Sequence, residues 1–191
     1  MRIIFKYMRI ISGTHRGKQL IAPKQLPVRP TTDFAKESLF NILNNSYYFD
    51  SISVLDLFAG TGNICYEFGS RGCQDITAVD SHSGCVQYIS KTAESLSYPI
   101  EVVKGDIFGY LEKTLRKFDI IFADPPYEIA PEDLERIVSL VFERELLNDE
   151  GLLIIEHSSK ISMEEHPYFE QVRKYGGTSF SFFSFYEEEE A

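Results

Sequence analysis

No apolar run in this chain reaches the ~18 consecutive residues that a membrane-spanning helix needs. The opening segment MRIIFKYMRII is basic and apolar, yet it has no continuous apolar core and no small-residue cleavage site. We therefore read no signal peptide in it. Cysteine is scarce: Cys65, Cys73 and Cys85 are odd in number and lack metal-ligand spacing, which argues against a disulfide framework and against a zinc site. Reduced thiols in a cytoplasmic protein are the expectation, with no membrane partner and no metal. His15, His82, His157 and His166 have no cysteine or acid beside them at ligand spacing and read as surface or core filler, with His15 set apart because it lies in a basic loop. There is no internal repeat, and bias is confined to the acidic residues 187–190, a solvated tail. What remains is 191 residues, 43% hydrophobic and 25% charged, which suits one packed α/β domain with a small appendage, expected to be a monomer.

Basic charge is also scarce overall, and the net charge is −10. Its distribution matters more than its sum. Residues 1–36 hold eight basic side chains (Arg2, Lys6, Arg9, Arg16, Lys18, Lys24, Arg29 and Lys36) against Asp33 alone, a net +7. The other residues hold eleven basic and twenty-eight acidic side chains, a net −17. A basic arm on an acidic body is the footprint of a phosphate partner met on one side only. Arg9, His15, Arg16, Lys18, Arg29, Thr31 and Thr32 are the candidate RNA contacts.

Along the chain, two short apolar stretches at 9–12 and 18–22 flank Gly13-Thr14-His15-Arg16-Gly17, which predicts a strand pair around a basic loop. Pro23, Pro27 and Pro30 make an extended linker. Thr31, Thr32 and Asp33 are N-cap candidates, and Ala35, Leu39, Ile42 and Leu43 share one face of a helix over 33–44. We place the boundary between arm and domain at 32/33. Strands are expected at 53–58, 75–79, 100–104, 118–123 and 151–157, separated by helical stretches, which means crossovers and a buried parallel sheet. Residues 168–175 and 178–186, joined by Gly176-Gly177, predict an antiparallel hairpin at one sheet edge.

Chemistry concentrates at strand ends. Asp56-Leu57-Phe58-Ala59-Gly60-Thr61-Gly62 ends the first sheet strand, where glycines permit a sharp turn and a close approach to a ligand. Asp80 ends the second strand and can accept both ribose hydroxyl protons of an adenosine. A nicotinamide enzyme would share those features, but the third glycine of its fingerprint falls at Cys65, and Asp56 suits a cation better than a pyrophosphate. Asp106, after the third strand, can accept from an adenine amine or cap a helix. The fourth strand ends in Asp124-Pro125-Pro126-Tyr127. Two prolines fix the backbone and remove two donors, so the Asp124 carboxylate and the Pro125 carbonyl form an acceptor pair for an NH2 group. Such a pair orients an amine whose lone pair is otherwise delocalised into a base, and Tyr127 can stack on that base.

DLFAGTG followed by DPPY resembles the class I methyltransferases that act on exocyclic amines. The segments MRIISGTHRGKQL and RPTTDFAKESLFNIL resemble the RsmD-type 16S rRNA (guanine-N2)-methyltransferase family, and the likeness runs from Met8 over nearly the whole chain. It implies a Rossmann-like, seven-stranded, mostly parallel sheet with S-adenosyl-L-methionine as donor and S-adenosyl-L-homocysteine as product. The acceptor it implies is a guanine of 16S rRNA, free or in the small ribosomal subunit. By that resemblance Asp56, Phe58, Gly60, Gly62, Asp80, Ser81, Asp106, Ile107 and Asp124 line the cofactor pocket, and Asp124, Pro125, Pro126 and Tyr127 hold the base. Arg29, Thr31, Thr32 and Glu37 match a helix-start segment that faces the site. Two departures stand out: Asn63-Ile64-Cys65-Tyr66 where smaller apolar residues are usual, and MRII at both Met1 and Met8, so that residues 1–7 are an extension or an alternative start.

The rival readings are an adenine-amine (N6) methyltransferase on RNA or DNA, a protein glutamine methyltransferase, and a non-catalytic RNA-binding module on a relic cofactor fold. The short chain argues against a restriction-type DNA enzyme, Asp rather than Asn at position 124 against a glutamine methyltransferase, and the intact glycine and DPPY motifs against a relic.

Overall fold

The computed structural model describes residues 6–26 and 32–185. Arg29, Thr31, the prolines Pro27 and Pro30 and the acidic tail lie outside the described residues.

Five short apolar segments form the parallel part of one sheet: β3 (Ser53–Leu57), β4 (Asp75–Asp80), β5 (Ile100–Lys104), β6 (Phe118–Ala123) and β7 (Leu147–Ser158). β8 (Phe169–Tyr175) and β9 (Thr178–Phe183) complete it, in the order β5-β4-β3-β6-β7-β9-β8. The C-terminal hairpin is antiparallel, with β9 paired to β7 and β8 at the edge. A strand buried on both faces carries apolar residues at every position. In β3, Val54 packs into one core and Leu55 and Leu57 into the other, all at 0% exposure, with Asp56 the one buried charged group among them. The first core holds residues of α1 (Asp33–Leu43), α2 (Asn63–Ser70) and α3 (Ser83–Leu96). The second holds residues of α4 (Ile107–Lys113) and α5 (Pro131–Glu143). Among the described residues no helix is long and apolar enough to cross a membrane.

Two strand expectations need correction. The N-terminal pair is antiparallel, but its first strand is β1 (Lys6–Arg9), not 9–12, opposite β2 (Gln19–Ala22). Ile11 and Ser12 leave the ladder because a carboxylate outcompetes it: their amides donate to Glu67 Oε2 and Oε1 at 2.8 and 3.0 Å. β7 begins four residues earlier than expected, with Glu150 at φ 59 and a register shift opposite Phe118–Ile120 absorbing the polar Asn148–Glu150 stretch.

The basic loop docks on the body. Gly13 takes φ +81, and a Cβ there would fall 1.8 Å from the Ser70 carbonyl oxygen at the end of α2, so only glycine fits. Thr14 N–H donates to that oxygen at 2.7 Å. Met8, Ile10, Leu20 and Ala22 enter the same core as α1 and α2.

Candidate active site

The C-terminal ends of β3, β4 and β6 open on a cavity of about 570 Å³, within the range that takes a drug-sized ligand. This is where ligands bind in open α/β sheets.

Its floor is the turn from β3 into α2. Phe58 (φ 59), Gly60 (φ 56) and Gly62 (φ 77) all take left-handed conformations, and the non-glycine Phe58 is the strained one. The turn is tied to β4 by Ala59 N–H donating to the Val79 carbonyl at 3.0 Å. A Cβ on Gly62 would meet the Tyr66 ring at 2.8 Å. Asp80 fixes the turn from the other side: one carboxylate oxygen accepts from Gly60 N at 2.8 Å and the other from His82 N at 2.7 Å. Its orientation is set before any ligand arrives, and each oxygen keeps a second lone pair. Ser81 and His82 continue the wall, and His82 caps α3 through Nδ1.

Asp56 is 2% exposed and its carboxylate accepts from the Cys65 thiol at 3.0 Å. Burial pushes its pKa up from 3.8 to about 7; the thiol hydrogen bond opposes that rise and the charge of Asp80 adds to it. A carboxylate held at that expense of solvation suits a cationic ligand.

Asp124, Pro125, Pro126 and Tyr127 line the opposite wall, directly after β6. Asp124 N–H reaches back to the Leu57 carbonyl at 3.4 Å, which sets this turn beside the β3 loop. Tyr127 is 40% exposed, with its hydroxyl 2.8 Å from Thr178 Oγ1. Thr178, Tyr175 and Glu156 belong to the wall as well. Glu156, a buried acid within the apolar run of β7, gave no signal in sequence beyond its being charged there.

Two expected pocket residues stand apart. Asp106 is the N-cap of α4, accepting from Gly109 N at 2.8 Å, and Ile107 is buried in the second core; neither lines the cavity. Capping explains Asp106. Thr32 lines the cavity and caps α1 through Ala35 N at 3.2 Å. Glu37 is exposed and outside the lining, because the preceding residue takes the inward position.

That residue is Lys36, the centre of a network missed in sequence. Its ammonium, on a wholly buried side chain, donates to the Arg9 carbonyl at 2.6 Å and to Asn63 Oδ1 at 2.8 Å, and lies 3.4 Å from the buried Glu67. Desolvation lowers the Lys36 pKa, against the pull of Glu67. Glu67 also pairs with Arg71 at 3.0 Å. The network joins arm, α1 and α2. The candidate RNA residues Arg16 and Lys18 are exposed, Arg9 pairs with Asp33 at 3.0 Å, and His15 Nδ1 lies 2.7 Å from the Tyr98 hydroxyl. Among the described residues no group of three or more His, Cys, Asp or Glu is arranged to hold a metal.

A seven-stranded sheet with this strand order, a glycine turn after its first parallel strand and an acid-Pro-Pro-aromatic turn after its fourth defines a Rossmann-like class I methyltransferase fold. Residues 8–184 match the family described as conserved hypothetical protein 95, and the chain belongs to that family, the RsmD type whose motifs it carries. The ribosomal RNA small subunit methyltransferase D of Escherichia coli (strain K12) is 31% identical over 150 residues, covering 78% of this chain and 74% of that protein. YlbH of Bacillus subtilis (strain 168) is 33% identical over 163 residues, covering 83% and 86%. The solved structure of yhhF from Escherichia coli superposes with a TM-score of 0.78 at 27% identity, covering 93% of this chain and 97% of that one. A Thermus thermophilus 16S rRNA N2 G1207 methyltransferase (RsmC), solved with AdoMet and guanosine, shares the fold with a TM-score of 0.72 at 19% identity, over 94% of this chain and 50% of that one.

Proposed function

We propose that this protein is an S-adenosylmethionine-dependent methyltransferase that methylates the exocyclic N2 amine of a guanine in small-subunit ribosomal RNA. The observation that supports the reading is one cavity lined both by the glycine turn with Asp56 and by the Asp124–Tyr127 turn.

The residues fit the donor. Asp80 has a preset carboxylate for ribose hydroxyls, Asp56 supplies negative charge for a cation, and the φ > 0 turn exposes backbone to the ligand. When bound, S-adenosylmethionine supplies an electrophilic methyl group on a sulfonium. Asp124 and the Pro125 carbonyl hold the hydrogens of the amine, favouring the pyramidal geometry that frees its lone pair. Asp124 then takes a proton from the methylated nitrogen or passes it to water. Tyr127 stacks on the base and keeps water from it. Catalysis is mainly positioning, and no cysteine nucleophile takes part; all three cysteines are buried.

The relative named ribosomal RNA small subunit methyltransferase D supports an rRNA acceptor, and the basic arm supports phosphate contact. Guanine N2 rests on the family resemblance of the motifs. Incubating undermethylated small subunits with methyl-labelled cofactor and digesting the RNA to nucleosides tests all of this. Label in N2-methylguanosine is expected; label in N6-methyladenosine would transfer the same chemistry to the rival acceptor.

A further inference from the structure

Asn63 opens α2 directly behind the left-handed Gly62, lines the cavity and is 9% exposed. Its Oδ1 accepts from Lys36 Nζ at 2.8 Å. An ammonium has only donors, so the orientation of the carboxamide is not free: the oxygen must face Lys36 and the NH2 must face away. Lys36 is itself fixed, by the Arg9 carbonyl and Glu67. The Asn63 Nδ2 that results has no hydrogen-bond partner among the described residues, although it is buried. A buried donor left unpaired calls for an explanation, and in a ligand cavity the explanation is a ligand acceptor.

The surroundings narrow the acceptor. The first turn of a helix has N–H groups without intrahelical partners and a positive dipole end, so an anion is favoured at this place. The neighbouring Thr61 is not the donor, because its hydroxyl is turned to the Met8 sulfur at 2.8 Å. Nor is the Cys65 thiol, which donates to Asp56. Asp56 and Asp80, which also line the cavity, are acids. Asn63 is thus the donor among acceptors, and the one anionic group of S-adenosylmethionine is its amino-acid carboxylate.

We propose that Asn63, oriented by Lys36, binds the carboxylate of the cofactor's amino-acid moiety at the N-terminus of α2. The proposal rests on the cofactor reading above. It makes Lys36 a positioning residue and couples the docking of the arm, through the Arg9 carbonyl, to the cofactor site.

Calorimetric titration of the full chain with two ligands tests it: S-adenosylhomocysteine, which carries the carboxylate, and 5′-methylthioadenosine, which keeps the nucleoside and sulfur but lacks the amino-acid part. Asn63→Asp keeps the oxygen that Lys36 needs and removes the donor. It is expected to weaken S-adenosylhomocysteine at least ~30-fold, since a charged hydrogen bond is replaced by repulsion. Asn63→Ala is expected to weaken it about tenfold. Binding of 5′-methylthioadenosine should stay within about twofold of wild type in both; Asn63→Asp should melt like wild type, whereas Asn63→Ala, which takes an acceptor from the buried Lys36, should melt lower. Unchanged S-adenosylhomocysteine binding in a variant that melts like wild type would overturn the proposal, as would equal losses for the two ligands. If the wild-type protein binds neither ligand, the cofactor reading itself fails, and the inference with it.

Discussion

Asp56 makes cofactor binding depend on pH in a direction that burial alone dictates. Its carboxyl titrates at about 7 in the ligand-free protein, raised by desolvation from 3.8. A cationic ligand binds the charged form, so binding must expel the proton wherever the free protein holds it. Affinity should therefore rise with pH up to about 7 and then level. Each unit well below that point costs a factor of ten, or about 1.4 kcal/mol, and with the carboxyl half charged at pH 7 the affinity for S-adenosylmethionine should fall about 50-fold between pH 7 and pH 5. The same shift acts on stability with the opposite sense. A carboxyl whose folded pKa is raised stabilises the fold below its unfolded pKa, and that contribution is lost as pH climbs from about 4 to about 7. Asp56→Asn should abolish both dependences, and the ligand-free variant should match or exceed wild-type stability at pH 7. Titration calorimetry in two buffers of different ionisation enthalpy reads the proton directly: about one released per ligand at pH 5.5, near half at pH 7, and none from Asp56→Asn. A proton released equally by the Asn variant would show that Asp56 is not its source. Wild-type affinity that is flat from pH 5 to 7 would refute the reasoning.

Asp80→Ala removes the partner of two backbone N–H groups as well as the ribose acceptor, so it should cost about 2–3 kcal/mol of cofactor affinity by calorimetry, together with a lowered melting temperature. Asp124→Ala should cut the single-turnover methylation rate at least ~100-fold with cofactor and RNA saturating, while Asp124→Asn keeps part of it; a wild-type rate in the Ala variant would remove the aspartate from the chemical step. Glu67→Ala strands the Lys36 ammonium and the Ile11 and Ser12 amides, so urea denaturation should show a loss of about 3–5 kcal/mol. Reversing charge at the exposed Arg16 and Lys18 should weaken RNA binding and flatten its salt dependence without touching cofactor affinity, and an unchanged salt slope would put the RNA surface elsewhere. A chain beginning at Met8 loses the pairing of Lys6 and Tyr7 with Ala22 and Ile21 but keeps Met8 in the core, so it should fold with reduced stability and still methylate.

The sheet was legible because its signals are local. β5 and β6 have the expected bounds, and Gly176-Gly177 marks the turn between β8 and β9. The glycine turn and Asp124–Tyr127 were legible because each is a contiguous motif at a strand end. What was hidden depends on long-range partners. Lys36 read as one more charge of a basic arm, and only its neighbours in the fold, Arg9, Asn63 and Glu67, turn it inward. The same Glu67, more than fifty positions along the chain, ends β1 earlier than the apolar pattern of 9–12 suggests. Asn63 read as a neutral departure from smaller residues, since the orphaned amide appears only once Lys36 fixes its oxygen. Asp106 shows the converse: a local cap satisfies it without any ligand.

The central claim is that the Asp124–Tyr127 turn holds a guanine amine of small-subunit rRNA against the methyl donor. Its most direct test is nucleoside mass spectrometry of small-subunit RNA after reaction with methyl-labelled S-adenosylmethionine, run with wild type and Asp124→Ala side by side. The account predicts one labelled N2-methylguanosine per subunit with wild type and almost none with the variant. Label in another nucleoside, in ribosomal protein, or undiminished in the variant would contradict it.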